Sequence, residues 1–279
     1  MNAVQCELCG SNEIVKQGDY LVCQHCGTKY AVEAARGLLV EVDNTQRIDN
    51  LYQRARMSRE VGDFENAGKY YKKILEFLPN DWEALLYSYL YAPVPPVLEQ
   101  AGNSAAILGR ALPRIVELAI ENAETQEASR RIVTITNEAV HYLANIAGFA
   151  GGRLRQCERG NRRTDEGRLL IEKYKALWPA VTRTRYSCLD ALTAYNNTLI
   201  DLVDNYEGLD VSVVNSCMMT VRQSRFGIAG ERFWYDSRGW RTTVGMDYLQ
   251  LCVDSIRQLD PSFEVAELSS MGRKRFFEL

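Results

Sequence analysis

Two cysteine knuckles near the N-terminus constrain the fold of this chain more than any other feature. Cys6 and Cys9 form one Cys-x2-Cys-Gly motif, and Cys23 and Cys26 form the second. In such a knuckle a tight turn brings both thiolates to one metal ion, and the following glycine accepts a positive φ that a Cβ would resist. Four thiolates complete a tetrahedron and leave no position for water or substrate. We therefore predict a structural metal site with four cysteine ligands rather than a catalytic one.

The residues between the knuckles have the pattern of a small β-ribbon. Apolar segments at 13–16 and 20–22 flank a turn at 17–19, which is typical of a hairpin, and a third short strand is expected at 28–30. A module of this size buries too little apolar surface to fold alone, whereas a structural zinc supplies roughly 10 to 16 kcal/mol. The pattern therefore predicts a four-cysteine zinc ribbon over residues 1–37.

The two knuckles resemble the zinc ribbons of transcription factors and of many bacterial proteins, and also the iron-binding knuckles of rubredoxin. Rubredoxin-like domains usually separate their knuckles by a longer stretch than the thirteen residues between Cys9 and Cys23, so zinc is favoured over iron. His25 lies inside the second knuckle and is interpreted as an exposed residue rather than a ligand. The expected cofactor is a structural Zn2+.

The predicted ribbon is acidic, which argues against nucleic-acid binding by this module. Residues 1–43 contain three basic and six acidic side chains, and four thiolates on Zn2+ add two further negative charges. The whole chain has a formal net charge of -3, so no general positive field attracts it to phosphate. We expect this surface to contact protein or nothing.

The sequence after the ribbon predicts a pair of helices. A short strand is expected at Leu38 to Val42, followed by a helix that Asp43 or Asn44 caps and whose apolar positions repeat every 3.6 residues. A turn at Gly62 leads into a second helix, which stops at Pro79. Two helices connected in this way form a helical hairpin.

The second of these helices resembles half of a tetratricopeptide repeat (TPR). Gly62, Phe64, Ala67, Tyr71 and Pro79 match the positions where that family has its turn glycine, its aromatic and small packing residues, and its closing proline. The first helix departs from the family pattern by placing charged and small polar residues where apolar and aromatic ones are usual. One repeat unit is therefore predicted, and an array of repeats is not.

A zinc ribbon followed directly by such a hairpin also resembles a group of bacterial proteins of this architecture without assigned activity. The likeness covers roughly residues 1–90 and implies a mainly α fold with a small β ribbon and a TPR-like helical body. Further helices are predicted near residues 104–121, 125–146, 165–177, 182–206 and 211–221. The predicted domains are the zinc ribbon 1–37, a TPR-like helical region 38–150 and a C-terminal helical region 151–279.

A segment rich in arginine and aromatic residues, 222–241, is the candidate binding surface of the C-terminal half. Stacking aromatics combined with positive charge can hold single-stranded nucleic acid or a peptide with aromatic and acidic groups. Alternatively the aromatics pack two helices together while arginine stems cover them, and this interpretation is favoured. The candidate partner-binding residues are Arg222, Arg225, Arg232, Trp234, Arg238 and Trp240.

The sequence contains no recognisable catalytic motif. Its only histidines are His25 and His141, and it has no phosphate-binding glycine loop, nucleophile elbow or zinc-protease motif. The four cysteines outside the knuckles are expected to pack inside helices. No segment has the roughly 18 to 20 apolar residues of a membrane span, and residues 1–10 do not have the basic stretch followed by an apolar run that is typical of a secretion signal. We expect a cytoplasmic protein with reduced thiols.

These features together favour an interaction module, an adaptor or scaffold, over an enzyme. In this hypothesis a groove of the helical body binds a protein or peptide, and the ribbon adds a rigid second surface. The alternative is a nucleic-acid-associated regulator that uses segment 222–241. The two differ in salt dependence, because phosphate binding weakens steeply as salt rises and an apolar contact does not.

Overall fold

The computed structural model describes residues 6, 9, 11, 13–18, 20–92, 97–157, 164–206, 208–239 and 244–264, with the side chains of 16, 31–44, 231–239 and 244–248 outside that description. The described residues form three strands, β1 (Ile14–Gln17), β2 (Tyr20–Cys23) and β3 (Lys29–Ala31). The helices are α1 (Val32–Glu60), α2 (Phe64–Leu75), α3 (Trp82–Leu90), α4 (Leu98–Ile120), α5 (Thr125–Arg155), α6 (Asp165–Asn205), α7 (Val211–Gly239) and α8 (Val244–Arg257). The predicted mainly α fold with a small N-terminal β region is confirmed.

The chain divides into two compact units, Met1–Pro79 and Asn80–Leu279. The first contains the strands with α1 and α2, and the second contains α3 to α8. Of the predicted domain boundaries, the one after residue 37 lies inside α1 and the one after residue 150 lies inside α5. No helix within the described residues combines the length and the apolar character that crossing a bilayer requires.

The three strands form an antiparallel sheet in the order β1-β2-β3. β1 pairs with β2 from Ile14 opposite Cys23 to Gln17 opposite Tyr20. Gly18 lies in the connecting turn with a φ of 64°, a conformation that glycine adopts without steric cost. The predicted hairpin and third strand are confirmed, and the sheet places Cys23 at the end of β2.

Helix α1 corrects two predictions about the segment after the ribbon. The strand predicted at Leu38 to Val42 is wrong, because α1 runs without interruption from Val32 to Glu60. Asp43 and Asn44 lie inside this helix and therefore do not cap its start. Leucine, alanine, arginine and glutamate are strong helix formers, and extending one helix avoids the cost of nucleating a second. A short apolar run is compatible with a helix or a strand, because it is too short to show whether its apolar residues repeat with the helical or the strand period.

Helices α1 and α2 pack as the predicted helical hairpin. Gly62 makes the turn with a φ of 79°, and the Asp63 side chain caps α2 by accepting a hydrogen bond of 3.2 Å from the Asn66 N–H. Tyr71 is fully buried and its ring meets the Tyr52 ring edge to face at 6.5 Å. The hairpin is confirmed, whereas its resemblance to a TPR stays a prediction.

The second unit is organised around α6, which packs against α4, α5 and α7. The sequence predicts two helices here with a break near Pro179. This prediction is wrong, because α6 is a single helix of 41 residues that includes Pro179. Proline removes one backbone hydrogen bond and normally bends or ends a helix. Here Val181 joins Leu98 and Leu154 in a buried cluster next to the proline, and this packing stabilises the helix on both sides of it.

Helices α4 and α6 approach each other unusually closely at two glycines of α4. A Cβ added to Gly109 would lie 2.7 Å from the Ala191 Cβ, and one added to Gly102 would lie 3.2 Å from the Thr184 Cα. The first distance is shorter than any non-bonded carbon contact, so the backbones meet where α4 has no side chain. Thr184 also donates a hydrogen bond of 2.8 Å to the Leu98 carbonyl, which joins the two helices.

Cys188 gives the unit a pH dependence that unfolding experiments can detect. It is fully buried on α6, and burial raises the pKa of its thiol from 9.0 to about 12. The positive charge of Arg185 lowers this pKa, but by less than burial raises it. The unfolded state therefore loses this proton near pH 9 while the folded state keeps it, so stability falls as pH rises from 9 toward 12. We expect the free energy of unfolding to decrease by about 1 kcal/mol between pH 8 and 10 through this thiol alone.

Denaturant titrations at pH 8, 9 and 10 measure this effect. The Cys188→Ala variant is the control, because it removes the titrating group and should lose about 1 kcal/mol less over the same range. Equal pH slopes for the two proteins would contradict the assignment to Cys188.

Candidate metal centre

The ribbon brings the four knuckle cysteines together. The Sγ atoms of Cys6, Cys9, Cys23 and Cys26 all lie within 4.8 Å of one another. Two of the short distances join the two knuckles, with 3.5 Å between the Sγ atoms of Cys6 and Cys26 and 3.6 Å between those of Cys9 and Cys23. Each knuckle thus contributes to both short edges of the cluster. The predicted set of four clustered cysteines is confirmed, and such a set could hold a metal ion.

Backbone hydrogen bonds shape the two knuckles in the same way. The Cys6 N–H donates to the Ser11 carbonyl at 2.8 Å, and the Cys23 N–H donates to the Thr28 carbonyl at 2.9 Å. In both cases the first cysteine is bonded to the residue five positions later, which folds the motif back on itself. Gly27 has a φ of 75°, so the predicted positive φ is confirmed in the second knuckle. The glycine of the first knuckle lies outside the described residues.

The spacing of the sulfur atoms fits a tetrahedral thiolate site. Four Zn–S bonds of about 2.3 Å in a tetrahedron separate the sulfurs by about 3.8 Å, close to the two short distances observed. Cys6 and Cys23 are 1% exposed, while Cys9 and Cys26 are exposed. One cysteine of each knuckle would therefore bind the ion from inside the ribbon, and the other would close the site from outside.

Two hydroxyl groups lie beside the sulfurs. The Tyr30 hydroxyl is 3.2 Å from the Cys6 Sγ, and the Thr28 Oγ1 is 3.0 Å from the Cys26 Sγ. Hydroxyl groups so placed can donate to thiolates and stabilise their negative charge, as hydrogen bonds to metal ligands commonly do. The side chain and the backbone N–H of Thr28 lower the pKa of the Cys26 thiol, which favours its thiolate form. Sequence reasoning missed both hydroxyls, although Thr28 and Tyr30 closely follow the second knuckle.

The pKa of the Cys9 thiol is shifted in the opposite direction from that of Cys26. The Ser11 backbone lowers its pKa, but desolvation and the other three cysteines outweigh this and raise the pKa to about 12. Four sulfurs within 4.8 Å cannot all become anions without a cation between them. The cluster is thus chemically suited to a divalent ion. His25 is exposed, and among the described residues it does not belong to the cluster of potential metal ligands.

The structure places Arg222, a candidate partner-binding residue, in the protein interior. Its side chain is 5% exposed, and it donates from Nε to the Asn196 Oδ1 at 2.9 Å and from a terminal nitrogen to the Ser255 carbonyl at 2.7 Å. Desolvation, with a smaller contribution from Arg225, lowers the pKa of its guanidinium. Arg222 therefore joins α6, α7 and α8, as the packing interpretation of this segment requires.

Of the remaining candidates of segment 222–241, Arg225 is the one whose side chain lies within the described residues. Arg225 is half-buried on α7, and beside it the Phe226 ring meets the Phe263 ring at 5.7 Å, which is another packing contact. Arg232, Trp234 and Arg238 belong to α7, but their side chains lie outside the described residues, and Trp240 lies outside them entirely. Their assignment as partner-binding residues stays a prediction.

No family model, curated protein or solved structure matches this chain. The resemblances to zinc ribbons and to TPR hairpins therefore depend on the residues and their geometry alone.

Proposed function

We propose that this chain is a zinc-binding protein interaction module, an adaptor or scaffold. Cys6, Cys9, Cys23 and Cys26 would hold a structural Zn2+, and the helical hairpin would present the surface that a protein or peptide partner binds. Bound Zn2+ would supply the free energy that folds the ribbon, since a closed set of four thiolates has no position for substrate. Thiolate ligands must stay reduced, which agrees with a cytoplasmic location.

The exposed tip of the helical hairpin is the observation that carries the interaction role. Met57, Val61 and Phe64 are 65%, 81% and 51% exposed, and they lie on either side of the α1–α2 turn. Single exposed apolar residues are ordinary on protein surfaces, but three large ones at one turn form a patch, and patches mark contact sites. We call these three residues the hairpin tip.

Zinc is favoured over iron by the thirteen residues between Cys9 and Cys23, because rubredoxin-like iron domains usually separate their knuckles by a longer stretch. Zn2+ prefers a tetrahedron of thiolates and has no redox chemistry. The hydrogen bonds available from Tyr30 to Cys6 and from Thr28 to Cys26 would keep these thiolates in place. The absorption spectrum distinguishes the ions, because a thiolate-bound iron is coloured and a thiolate-bound zinc is not.

Affinity capture from cells tests the interaction role. We expect the full chain to retain a protein partner at both about 0.1 M and about 0.5 M salt, because apolar contacts are weakly screened. The variant Val61→Asp with Phe64→Ser should lose that partner by about tenfold or more. Leu251→Ser is the matched control, since Leu251 is 64% exposed in the other unit and its loss should leave capture unchanged.

Two outcomes would contradict the proposal. Capture that is equally strong in all three proteins would show that the hairpin tip plays no part. Recovery of nucleic acid that disappears steeply between the two salt concentrations would favour the regulator alternative instead.

A further inference from the structure

A groove lies between α1 and the end of α2, on the opposite half of the hairpin from its tip. It encloses about 460 Å³. Arg47, Asn50, Leu51 and Arg54 line it from α1, and Lys73 and Phe77 line it from the second helix and the residues that follow. We call this surface the basic groove, and all of it lies within the Met1–Pro79 unit.

Positive charge exceeds negative charge among the side chains that line the basic groove. Arg47, Arg54 and Lys73 make no salt bridge with any residue in the described ranges, although Glu76 lines the same groove. The neighbouring Lys69, in contrast, pairs with Glu65 at 2.7 Å on α2. Three cations against one carboxylate leave the groove with an excess positive charge. An anionic ligand would supply partners for them without displacing an ion pair of the described residues.

Arg47 is already oriented by the groove wall. Its guanidinium carbon lies 5.1 Å from the centre of the Phe77 ring, in a cation–π contact. A guanidinium held over a ring keeps the N–H edge that faces away from the ring available. That edge binds a carboxylate through two parallel hydrogen bonds. The contact therefore places a guanidinium that can bind a carboxylate at one end of the groove.

The two arginines have a spacing that suits one conformation of a peptide. Arg47 and Arg54 are two helical turns apart on one face of α1, so their Cα atoms are separated by about 10 Å. A polyproline II segment advances about 9 Å in three residues and returns to the same face. Two acidic side chains three residues apart could thus reach both arginines. Leu51 lies between them and would contact the intervening residues.

Glu76 limits the kind of anion that fits. A nucleic acid would bring a phosphate with every nucleotide along the groove, and one of these would lie near the Glu76 carboxylate. A peptide with two separated carboxylates can place a neutral residue there instead. The single acid of the groove therefore favours a sparsely charged protein segment over a phosphate backbone.

We propose that the basic groove binds an acidic protein segment in the polyproline II conformation, with one carboxylate on Arg47 and a second, three residues away, on Arg54. This inference rests on the proposed function as an interaction module and names the chemistry of the partner. It concerns a different surface from the hairpin tip, so the two can be tested separately.

Fluorescence anisotropy with labelled ten-residue peptides and the zinc-loaded full chain tests the inference. The probe peptide carries two glutamates three residues apart, with proline between them, and the comparison peptides carry two adjacent glutamates or two glutamines at the probe positions. We expect the probe to bind saturably, the adjacent-glutamate peptide about fivefold more weakly, and the glutamine peptide at least about tenfold more weakly. Rising salt should weaken probe binding.

Charge reversal on α1 assigns the binding to the groove. Arg54→Glu should reduce probe affinity by about tenfold or more, because it replaces attraction by repulsion. Arg56→Glu is the matched control: it makes the same charge change on the same helix, but Arg56 lies over the Tyr52 ring rather than in the groove. Its affinity should stay within about twofold. Arg54→Gln should give an intermediate loss, and it replaces Arg54→Glu if that variant does not fold.

Several results would overturn the inference. These are no saturable binding of the probe, equal binding of the three peptides, equal loss in the Arg54 and Arg56 variants, or Arg54-dependent binding of a ten-nucleotide thymidine strand with no binding of the probe. If the peptides fail while capture through the hairpin tip persists, the groove assignment is wrong and the interaction role stands. If the peptides bind while capture is insensitive to the tip variants, the hairpin-tip assignment is wrong and the groove assignment stands.

Discussion

Serine in place of Cys23 is expected to abolish zinc binding and to unfold the ribbon. Cys23 is 1% exposed at the end of β2, and its sulfur lies 3.6 Å from that of Cys9. Structural zinc contributes roughly 10 to 16 kcal/mol to small domains, far more than the few apolar residues of three short strands. A serine hydroxyl does not replace a thiolate ligand, so the three remaining cysteines should bind zinc too weakly to fold the sheet.

Zinc content per chain, measured after dialysis against a weak chelator, tests this expectation. His25→Ala is the matched control, because His25 is an exposed residue of the same knuckle. The zinc content of this variant should equal that of the wild-type chain. The Asn80–Leu279 unit has its own core and should keep its helical signal in Cys23→Ser. Full zinc content in that variant would contradict the proposed ligand set.

Valine in place of Gly109 is expected to destabilise the second unit by about 3 kcal/mol or more. A Cβ at this position would meet the Cβ of Ala191 at 2.7 Å and its Cα at 2.8 Å. The second contact is with backbone, so no rotamer change can relieve it, and α4 and α6 would have to separate. A separation would disturb buried residues along both helices, which explains the large expected effect.

The free energy of unfolding, obtained from denaturant titration, measures the cost. Gly148→Val is the matched control, because Gly148 also lies inside a long helix but a Cβ there meets nothing within 4 Å. Its stability should change by no more than about 0.5 kcal/mol, since valine has a slightly higher helix propensity than glycine. If Gly109→Val lost no more unfolding free energy than Gly148→Val, helix α4 would be able to move away from α6 at little cost, and the prediction would be wrong.

The cysteine cluster is the part of the structure that sequence reasoning predicts best. The spacing of Cys6, Cys9, Cys23 and Cys26 indicates a convergent cluster, because a knuckle is a local turn whose geometry needs only neighbouring residues. The short strands on either side of Gly18 are predictable for the same reason. Predictions succeed where a few consecutive residues determine the conformation.

Predictions fail where distant contacts decide between two local possibilities. One failure is local instead: the segment Leu38 to Val42 is apolar and β-branched enough to suggest a strand, yet it lies among strong helix formers and continues a helix that begins at Val32. Pro179 suggests a break, yet the packing of Val181 against Leu98 and Leu154 maintains one helix. Arg222 resembles a surface cation, and only the folded chain shows that Asn196 and Ser255 enclose it. None of these contacts is visible in a local window of sequence.

The continuity of α1 means that a ribbon cut at the boundary predicted after residue 37 takes the first turns of a helix with it. β3 ends at Ala31, and α1 begins at Val32 and supplies the first helix of the hairpin as far as Glu60. A fragment that ends after residue 37 would expose the broken end of that helix, and a fragment that starts there would lack its first turns. A division after Pro79 follows the boundary of the compact unit instead. Ribbon and hairpin should therefore be expressed, transplanted and degraded as one piece.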